Sequence, residues 1–314
     1  MAASAPTAPT PIAYDDDMVF SKVTFGKRFR RHKLALAGMI VLTIMVLAAV
    51  FAKQISPFDP NSIDNFHWHG YALPPCFQSA TACGGHLLGT DGLGRDLLSR
   101  LLFGARVSLT IGVFAVLMEI MIGTILGALS GYYGGWIDYA IMRVTDVFLS
   151  IPLLPLLLVL TAIVAASSSK AALNFGVIVL IIGVLSWPNV ARLVRASFLT
   201  LREREFAEAA RAIGCGDLRI IFRHLLPNAV APIVVQATLD VASVIVLEST
   251  LSFLGFGIQP PTASWGNMLS DAQANLQNAW WAAVFPGLCI LVTVLSINYI
   301  GDGLRDALDP NMRI

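Results

Sequence analysis

Three carboxylates stand inside long apolar runs of the sequence: Glu119, Asp240 and Glu248. A carboxylate costs much free energy in hydrocarbon, so it usually faces a water-filled cavity or a polar partner. Two interpretations stay open for each of them. The side chain either lines a pathway across a membrane, or it forms hydrogen bonds inside a helix bundle or near the lipid surface.

The apolar runs around these carboxylates predict a membrane protein. The 314 residues are 56% hydrophobic and 13% charged, whereas a soluble domain carries about 25% charged residues. A membrane-spanning helix needs about 20 apolar residues. Six segments meet this length: 34–52, 107–130, 146–166, 175–194, 229–252 and 282–301. We therefore expect an all-α integral membrane protein with six transmembrane helices.

The distribution of Lys and Arg predicts the orientation of these helices. Most of these residues precede the first apolar run or lie between Arg192 and Arg223, while few lie in residues 53–106. Because positive loops stay in the cytoplasm, both termini are expected to be cytoplasmic. The predicted organisation is a cytoplasmic head (1–33, disordered over its first 18 residues), the first span (34–52), an extracytoplasmic segment (53–106), a core with five spans (107–303) and a cytoplasmic tail (304–314).

The cysteines and histidines indicate neither a metal site nor a catalytic centre. Cys76 and Cys83 lie seven residues apart in the 53–106 segment, where an oxidising compartment would allow a disulfide. Two free thiols are the alternative. His67, His69 and His86 lie nearby, but their spacing fits no standard zinc pattern. The net charge of +1 is uninformative about partners, but the absence of a basic run with interleaved aromatics argues against nucleic acid as a partner.

A polar stretch interrupts the apolar runs: EFAEAARAIGCGDLRIIFRHLLPN, residues 205–228. Its first half predicts a short helix with one apolar face, formed by Phe206, Ala209, Ala210 and Ile213. Gly214 is expected to end this helix, and Asp217 to cap a second one. The apolar face of the second helix would comprise Leu218, Ile221, Phe222 and Leu225, and Pro227 is expected to stop it. An amphipathic hairpin lying on the membrane surface is the simplest alternative.

The order of residues in this hairpin resembles the EAA loop of ABC importer permeases. The shared pattern is Glu208-Ala209-Ala210, then Gly214, then His224-Leu225-Leu226-Pro227, with His224 where the family has Ile. Three further runs resemble the C-type permeases of dipeptide, oligopeptide and nickel importers. They are GTDGLGRD at 89–96, SFLGFG at 252–257 and GDGLRDALDP at 301–310. The resemblance covers the chain from about residue 25 to its end.

The resemblance implies the type I ABC importer permease fold and a multi-pass location in the bacterial cytoplasmic (inner) membrane. It implies a non-catalytic subunit with three kinds of protein partner: a second permease in a heterodimer, two P-loop ATPase subunits and an extracytoplasmic substrate-binding protein. The sequence lacks a G-x-x-x-x-G-K-[ST] phosphate loop. ATP and Mg are therefore expected in the ATPases, with no cofactor in this chain. The residues expected to couple to the ATPases are Glu205, Phe206, Glu208, Ala209, Ala210, Arg211, Gly214 and Asp217.

The resemblance also suggests a cargo, a dipeptide or short peptide, with nickel or glutathione as alternatives in the same branch. A peptide has a charged amino terminus, so a wall formed by Asp240, Glu248 and Glu119 could attract it. An alternative of another class is an ion-coupled secondary transporter with Asp240 or Glu248 as its proton site. Such transporters often contain repeats, and we find none in this sequence.

Two further sets of residues each allow two interpretations. Gly123, Gly127, Gly131 and Gly135 repeat every four residues, which favours close helix packing within the chain or against the second permease. Gly135 is expected to lie past the end of the helix. Arg95, Asp96 and Arg100 either contact the binding protein or form local ion pairs before the second span.

Overall fold

A computed structural model describes residues 26, 29–30, 32–64, 70, 72–79, 82–167 and 175–308. Several sequence predictions concern residues outside these ranges. They include the disordered head, the end of the cytoplasmic tail, and His67 and His69.

The described residues form α-helices and no β-strand. The helices are α1 (Lys33–Val50), α2 (Ala52–Ile55), α3 (Leu97–Tyr133), α4 (Gly135–Ser150), α5 (Leu153–Ser167), α6 (Phe175–Leu201), α7 (Glu205–Ala212), α8 (Asp217–Arg219), α9 (Leu226–Phe253), α10 (Trp265–Ala272) and α11 (Trp281–Leu308). A π-helical turn, Ile220–Leu225, joins α8 to α9. We call residues 56–96, between α2 and α3, the first loop.

Five helical segments within the described ranges are each long and apolar enough to cross a membrane: α1, α3, α6, the α8–α9 unit and α11. The pair α4 and α5 would supply a sixth span, but its two helices meet at an angle of 85°. The predicted third span, 146–166, is therefore bent rather than a single continuous helix. The break falls at Ile151, which is extended (φ −95°, ψ 126°) because Pro152 disfavours a helical conformation in the residue before it.

The glycine stripe of α3 packs against α6 of the same chain. A methyl group added at Gly123, Gly127 or Gly131 would lie within 2.8 Å of a Cβ atom of α6; these atoms belong to Val190, Val194 and Phe198, respectively. This contact decides between the two interpretations of the stripe in favour of packing within the chain. Gly135 lies beyond the end of α3, as predicted, after Gly134 with φ +66°.

The segment after α9 folds back over the first turns of α3. Its helix α10 begins with a capping box, in which Ser264 and Asn267 exchange side-chain and backbone hydrogen bonds. Trp265 is fully buried, and its Nε1 donates to the carbonyl of Leu101 at 3.2 Å. The start of α3 itself lies within the predicted 53–106 segment, because Asp96 caps the helix by accepting from Ser99 N at 2.8 Å.

Candidate functional site: the 205–228 hairpin and the buried carboxylates

The hairpin begins with α7, which ends at a glycine turn. Gly214 has φ +81°, and its N–H donates to the carbonyl of Arg211 at 2.9 Å. The N–H of Cys215 donates to the carbonyl of Ala210 at 3.0 Å. Together these two bonds form a Schellman motif, which favours Gly in the left-handed position. Gly214 therefore ends the first helix, as the sequence predicts.

The buried face of α7 differs from the predicted apolar face. Ala207 and Ala210 are buried, whereas Phe206, Ala209 and Ile213 are exposed. The two buried alanines belong to a hydrophobic cluster with residues of the π-helical turn. Small side chains let α7 approach this turn closely, and a phenylalanine would not fit there. Of the eight predicted coupling residues, Ala210 is thus buried and the other seven are exposed.

Four large apolar side chains of the hairpin are exposed. Their exposed fractions are 39% for Phe206, 80% for Ile213, 65% for Leu218 and 61% for Phe222. The predicted second apolar face is therefore divided, because Ile221 and Leu225 are buried. Exposed apolar side chains bordered by charged residues are typical of a protein or membrane contact.

The prediction that Pro227 ends the second hairpin helix is wrong. The π-helical turn leads directly into α9, with the N–H of Leu226 donating to the carbonyl of Ile221. Proline lacks an N–H, and its ring crowds the carbonyl four residues earlier, so the wider π turn accommodates it at the start of α9. Asn228 Nδ2 also donates to the carbonyl of His224 at 2.7 Å. The hairpin is thus continuous with the helix that carries Asp240 and Glu248.

Hydrogen bonds also join the hairpin to the end of α3. The Tyr132 hydroxyl donates to Asp217 Oδ1 at 2.7 Å. Arg211 Nη2 donates to the carbonyl of Arg202 at 3.0 Å, and Arg202 Nη1 donates to the carbonyl of Gly131 at 3.1 Å. The sequence analysis missed Tyr132 and Arg202, because nothing in their local pattern shows that they approach residues 70 or more positions away.

Glu248 is fully buried and hydrogen-bonded. Its Oε2 accepts from the Ser108 hydroxyl at 3.2 Å, and its Oε1 accepts from the Ser252 hydroxyl at 2.7 Å. The bond from Ser108 ties α9 to α3, whereas Ser252 belongs to α9 itself. Both bonds support the interpretation of Glu248 as a residue of the bundle interior.

Glu119 and Asp240 line one cavity of about 460 Å³ between α3, α6, α9 and the α4–α5 break. Their carboxyl groups lie close enough to interact. Gln236 Nε2 donates to Asp240 Oδ1 at 2.9 Å. The structure therefore separates the three carboxylates, since two share a cavity and the third does not line it.

A buried histidine organises the first loop. His86 Nδ1 lies 2.8 Å from Asp96 Oδ1, and Nε2 lies 3.2 Å from Asp64 Oδ2. The hydrogen bond to Asp96 raises the pKa of His86 above 6.5; burial opposes this shift, and Asp64 adds to it. A protonated imidazole can donate to both carboxylates.

Arg95, Asp96 and Arg100 are buried and have local partners. Arg95 Nε donates to Asp91 Oδ2 at 2.7 Å, and its Nη2 donates to Asp271 Oδ2 at 2.9 Å. Arg100 lies 3.5 Å from the same Asp271 oxygen. These pairs join the first loop to α10, which favours local ion pairing over contact with another protein.

Two of the remaining candidate ligands are bonded to each other. Cys76 and Cys83 are joined by a disulfide bond within the first loop. Across the described ranges, no group of three or more His, Cys, Asp or Glu side chains could hold a metal ion.

Comparison with known proteins identifies the family. Residues 123–314 match the family described as binding-protein-dependent transport system inner membrane component. Residues 24–75 match the N-terminal TM domain of oligopeptide transport permease C. The chain belongs to this permease family. It is a multi-pass protein of the bacterial inner membrane and a non-catalytic subunit of an ABC importer.

Curated relatives align with nearly the whole permease. The dipeptide transport system permease protein DppC of Alkalihalophilus pseudofirmus is 41% identical over 91% of this chain and 89% of its own length. The di/tripeptide permease protein DppC of Pseudomonas aeruginosa is 40% identical over 92% of both chains. The glutathione permease protein GsiD of Escherichia coli O157:H7 is 41% identical over 92% of this chain and 90% of its own.

A solved structure shares the fold. A chain of the MetNI methionine ABC transporter, in an inward-facing conformation, superposes with a TM-score of 0.54 and 19% identity. The match covers 67% of this permease and 97% of that chain. The permease therefore has the type I ABC importer fold. Its family implies two kinds of partner, a substrate-binding protein and an ATPase.

Proposed function

We propose that this permease imports dipeptides or short peptides. The proposal is supported by the two DppC relatives, which are named for dipeptides and for di/tripeptides and are about 40% identical over nearly the whole chain. Glutathione is the second candidate, because GsiD is equally similar. Glutathione is itself a tripeptide, so both candidates belong to one chemical class.

The pore is proposed to form between this chain and a second, different permease. Both termini and the hairpin lie in the cytoplasm, and the first loop lies outside. The distribution of Lys and Arg supports this orientation. An even number of spans, obtained when α4 and α5 together count as one, is consistent with it.

The hairpin is proposed to be the site at which two P-loop ATPases, which hold ATP and Mg, act on the permease. The observation that carries this proposal is the continuous helical path from Asp217 through the π turn to Phe253. Seven of the eight coupling candidates are exposed on the hairpin and can reach a partner. An ATPase that moves the hairpin would therefore move a membrane-crossing helix directly.

A pull-down in mild detergent with mass spectrometry tests the assembly. The native chain is compared with a variant carrying both Glu208→Arg and Gly214→Pro, and with Asn61→Arg, an exposed change in the first loop. We expect ATPases and a second permease with the native chain and with Asn61→Arg. The hairpin variant should lose the ATPases and keep the second permease. Retention of the ATPases by the hairpin variant would contradict the docking site.

A further inference from the structure

The cavity shared by Glu119 and Asp240 has two acidic side chains and no basic side chain among its described lining residues. Of the described residues that line it, only these two have ionisable side chains. Glu119 is 3% exposed. The rest of the lining is apolar or neutral, and its polar members are Ser186, Asn189 and Ser243. A cavity whose described lining contains two acids and no base is complementary to a cation.

The two carboxyl groups have no basic side chain beside them in the cavity wall, and one of their oxygens lacks a donor among the described residues. The Glu119 and Asp240 carboxyl groups lie close enough to interact with each other. Asp240 Oδ1 accepts from Gln236, but its buried Oδ2 receives no hydrogen bond from any described residue. Glu248 shows the contrast, because both of its oxygens accept hydroxyl bonds. Buried polar groups normally have partners, so Asp240 Oδ2, which has no donor among the described residues, can accept one from a bound ligand.

The C-terminal end of α4 borders the cavity at the break before α5. Phe148 and Leu149, in the last turn of α4, line the cavity together with Ile151 and Pro152 at the break. The last carbonyls of a helix have no partners within it and carry partial negative charge. Interrupted helices in transporters bind substrates and ions near the middle of the membrane. Glu119 and Asp240 both lie near the midpoints of the predicted spans 107–130 and 229–252.

We infer that this cavity binds the protonated amino terminus of the transported peptide, between the carboxylates of Glu119 and Asp240. This inference rests on the proposed function, because it assigns a peptide group to the site. A primary ammonium group has three donors and no acceptor. Two carboxylates and one neutral oxygen of the wall can satisfy all three donors. A transition metal prefers imidazole or thiolate ligands, and neither lines this cavity.

The test measures uptake by proteoliposomes that contain the complete importer, with its binding protein saturated. The substrates are radiolabelled alanyl-phenylalanine and its N-acetyl derivative, which lacks the ammonium group. The variants are Glu119→Gln, Asp240→Asn and the double variant; Glu248→Gln is the matched control, a buried carboxylate outside the cavity. Rates are divided by the amount of assembled complex, so that loss of folding does not count as loss of recognition.

The decisive quantity is the ratio of free to acetylated peptide uptake in each variant. The preference of the binding protein for one peptide over the other is the same in all variants, so it cancels when the ratios are compared. We expect the double variant to lower the wild-type ratio about tenfold or more, as expected for loss of charged hydrogen bonds, and Glu248→Gln to leave it unchanged. An unchanged ratio in the double variant would overturn the inference, whether or not both rates fall. If the wild type imports neither peptide, the proposed function itself fails, and this inference fails with it.

Discussion

At the scale of single residues, hydrogen-bond partners distinguish carboxylates that look alike in the sequence. Glu119, Asp240 and Glu248 all interrupt apolar runs, and that pattern alone identifies them as candidates. The serines that satisfy Glu248 come from both α9 and α3, and Ser108 lies 140 residues away. Sequence analysis could select the three acids but could not separate them, because the separation depends on which helices become neighbours.

The buried His86 predicts that the stability of the permease depends on pH. Its pKa is raised in the folded protein by Asp96 and then Asp64, above the ordinary value of 6.5. The stabilising contribution of the charged ring is therefore complete below about pH 6.5 and disappears as pH rises through the raised pKa. Hydrogen bonds to a charged group contribute about 1.5–3 kcal/mol.

The measurement is the apparent melting temperature of the purified permease and of His86→Gln between pH 5 and pH 8.5. We expect the variant to melt at a lower temperature in acid, with the difference shrinking as pH rises. Asp64→Asn should reduce this pH dependence partially, because Asp64 is the more distant partner. A difference that is constant with pH, or that grows toward alkaline pH, would contradict the assignment.

At the scale of helices, local sequence predicted the spans well and their junctions poorly. The cores of the first, second, fourth, fifth and sixth predicted spans all lie within observed helices. The third differs, because Pro152 bends the chain by 85° in a run that hydropathy reads as uniform. At Pro227, in contrast, the helix continues where the sequence predicts its end. A proline was expected to stop a helix, but a π turn, which depends on packing around Ile221 and Leu225, carries the helix past it.

The contact between α3 and α6 predicts a strong effect of a small substitution. In Gly127→Ala the new methyl group would lie 2.8 Å from the Cβ of Val194, which requires the helices to separate. Overpacking of this kind costs about 1–3 kcal/mol. We expect a lower yield of monodisperse permease and a lower melting temperature, and a larger loss for Gly127→Leu.

The matched control is Gly287→Ala in α11, another glycine in a membrane helix. Its methyl group would meet only Leu269 Cδ2, at 4.0 Å. This variant should behave like the wild type in both measurements. Equal behaviour of Gly127→Ala and Gly287→Ala would show that the glycine stripe does not require close approach.

Two glycines in the turn of the hairpin, Gly214 and Gly216, differ in backbone conformation. A methyl group at Gly214 or Gly216 would meet no atom within 4 Å, but Gly214 has φ +81° and Gly216 has φ −69°. Left-handed backbone costs a non-glycine residue roughly 1–2 kcal/mol. Gly214→Ala should therefore loosen the end of α7, and Gly216→Ala should not.

Hydrogen exchange of the α7 backbone amides measures this difference, since local opening speeds exchange. We expect faster exchange over residues 209–215 in Gly214→Ala, with Gly216→Ala unchanged. Faster exchange in both variants would mean that the turn needs flexibility at both glycines. That result would contradict the claim that the left-handed conformation of Gly214 stabilises the end of α7.

At the scale of the whole molecule, the hairpin connects to both walls of the acidic cavity. It is continuous with α9, which carries Asp240, and the Tyr132–Asp217 hydrogen bond joins it to α3, which carries Glu119. A displacement of the hairpin would move both carboxylates. Under the proposed function, ATP binding would shift the population between outward-facing and inward-facing states through these two helices.

The proposed orientation predicts which surfaces a membrane-impermeant thiol reagent can reach in intact cells. Asn61 and Glu205 are both exposed, in the first loop and in the hairpin respectively. In a background with Cys215→Ser, Asn61→Cys should label in intact cells and Glu205→Cys only after permeabilisation. The reverse pattern would invert the topology, and labelling of both in intact cells would place the hairpin outside.

The sequence limits what can be foreseen at this scale. The charged hairpin and the Lys and Arg distribution suggested a partner and an orientation, because both are properties of contiguous residues. The cavity could not be predicted, since α3, α6, α9 and the α4–α5 break contribute to it from positions spread over more than a hundred residues. The exposed side of the hairpin could not be predicted from the sequence either, because burial of Ala207 rather than Phe206 depends on the packing of the π turn.

ATP-dependent uptake of alanyl-phenylalanine by the reconstituted importer tests the central claim most directly. Proteoliposomes receive ATP on the side of the ATPase subunits while an ionophore collapses the proton gradient. We predict that uptake requires ATP, continues without the gradient and stops in the Glu208→Arg, Gly214→Pro variant. Uptake that needs no ATP and ends when the gradient is collapsed would contradict an ATP-driven permease and would indicate ion-coupled transport by this chain.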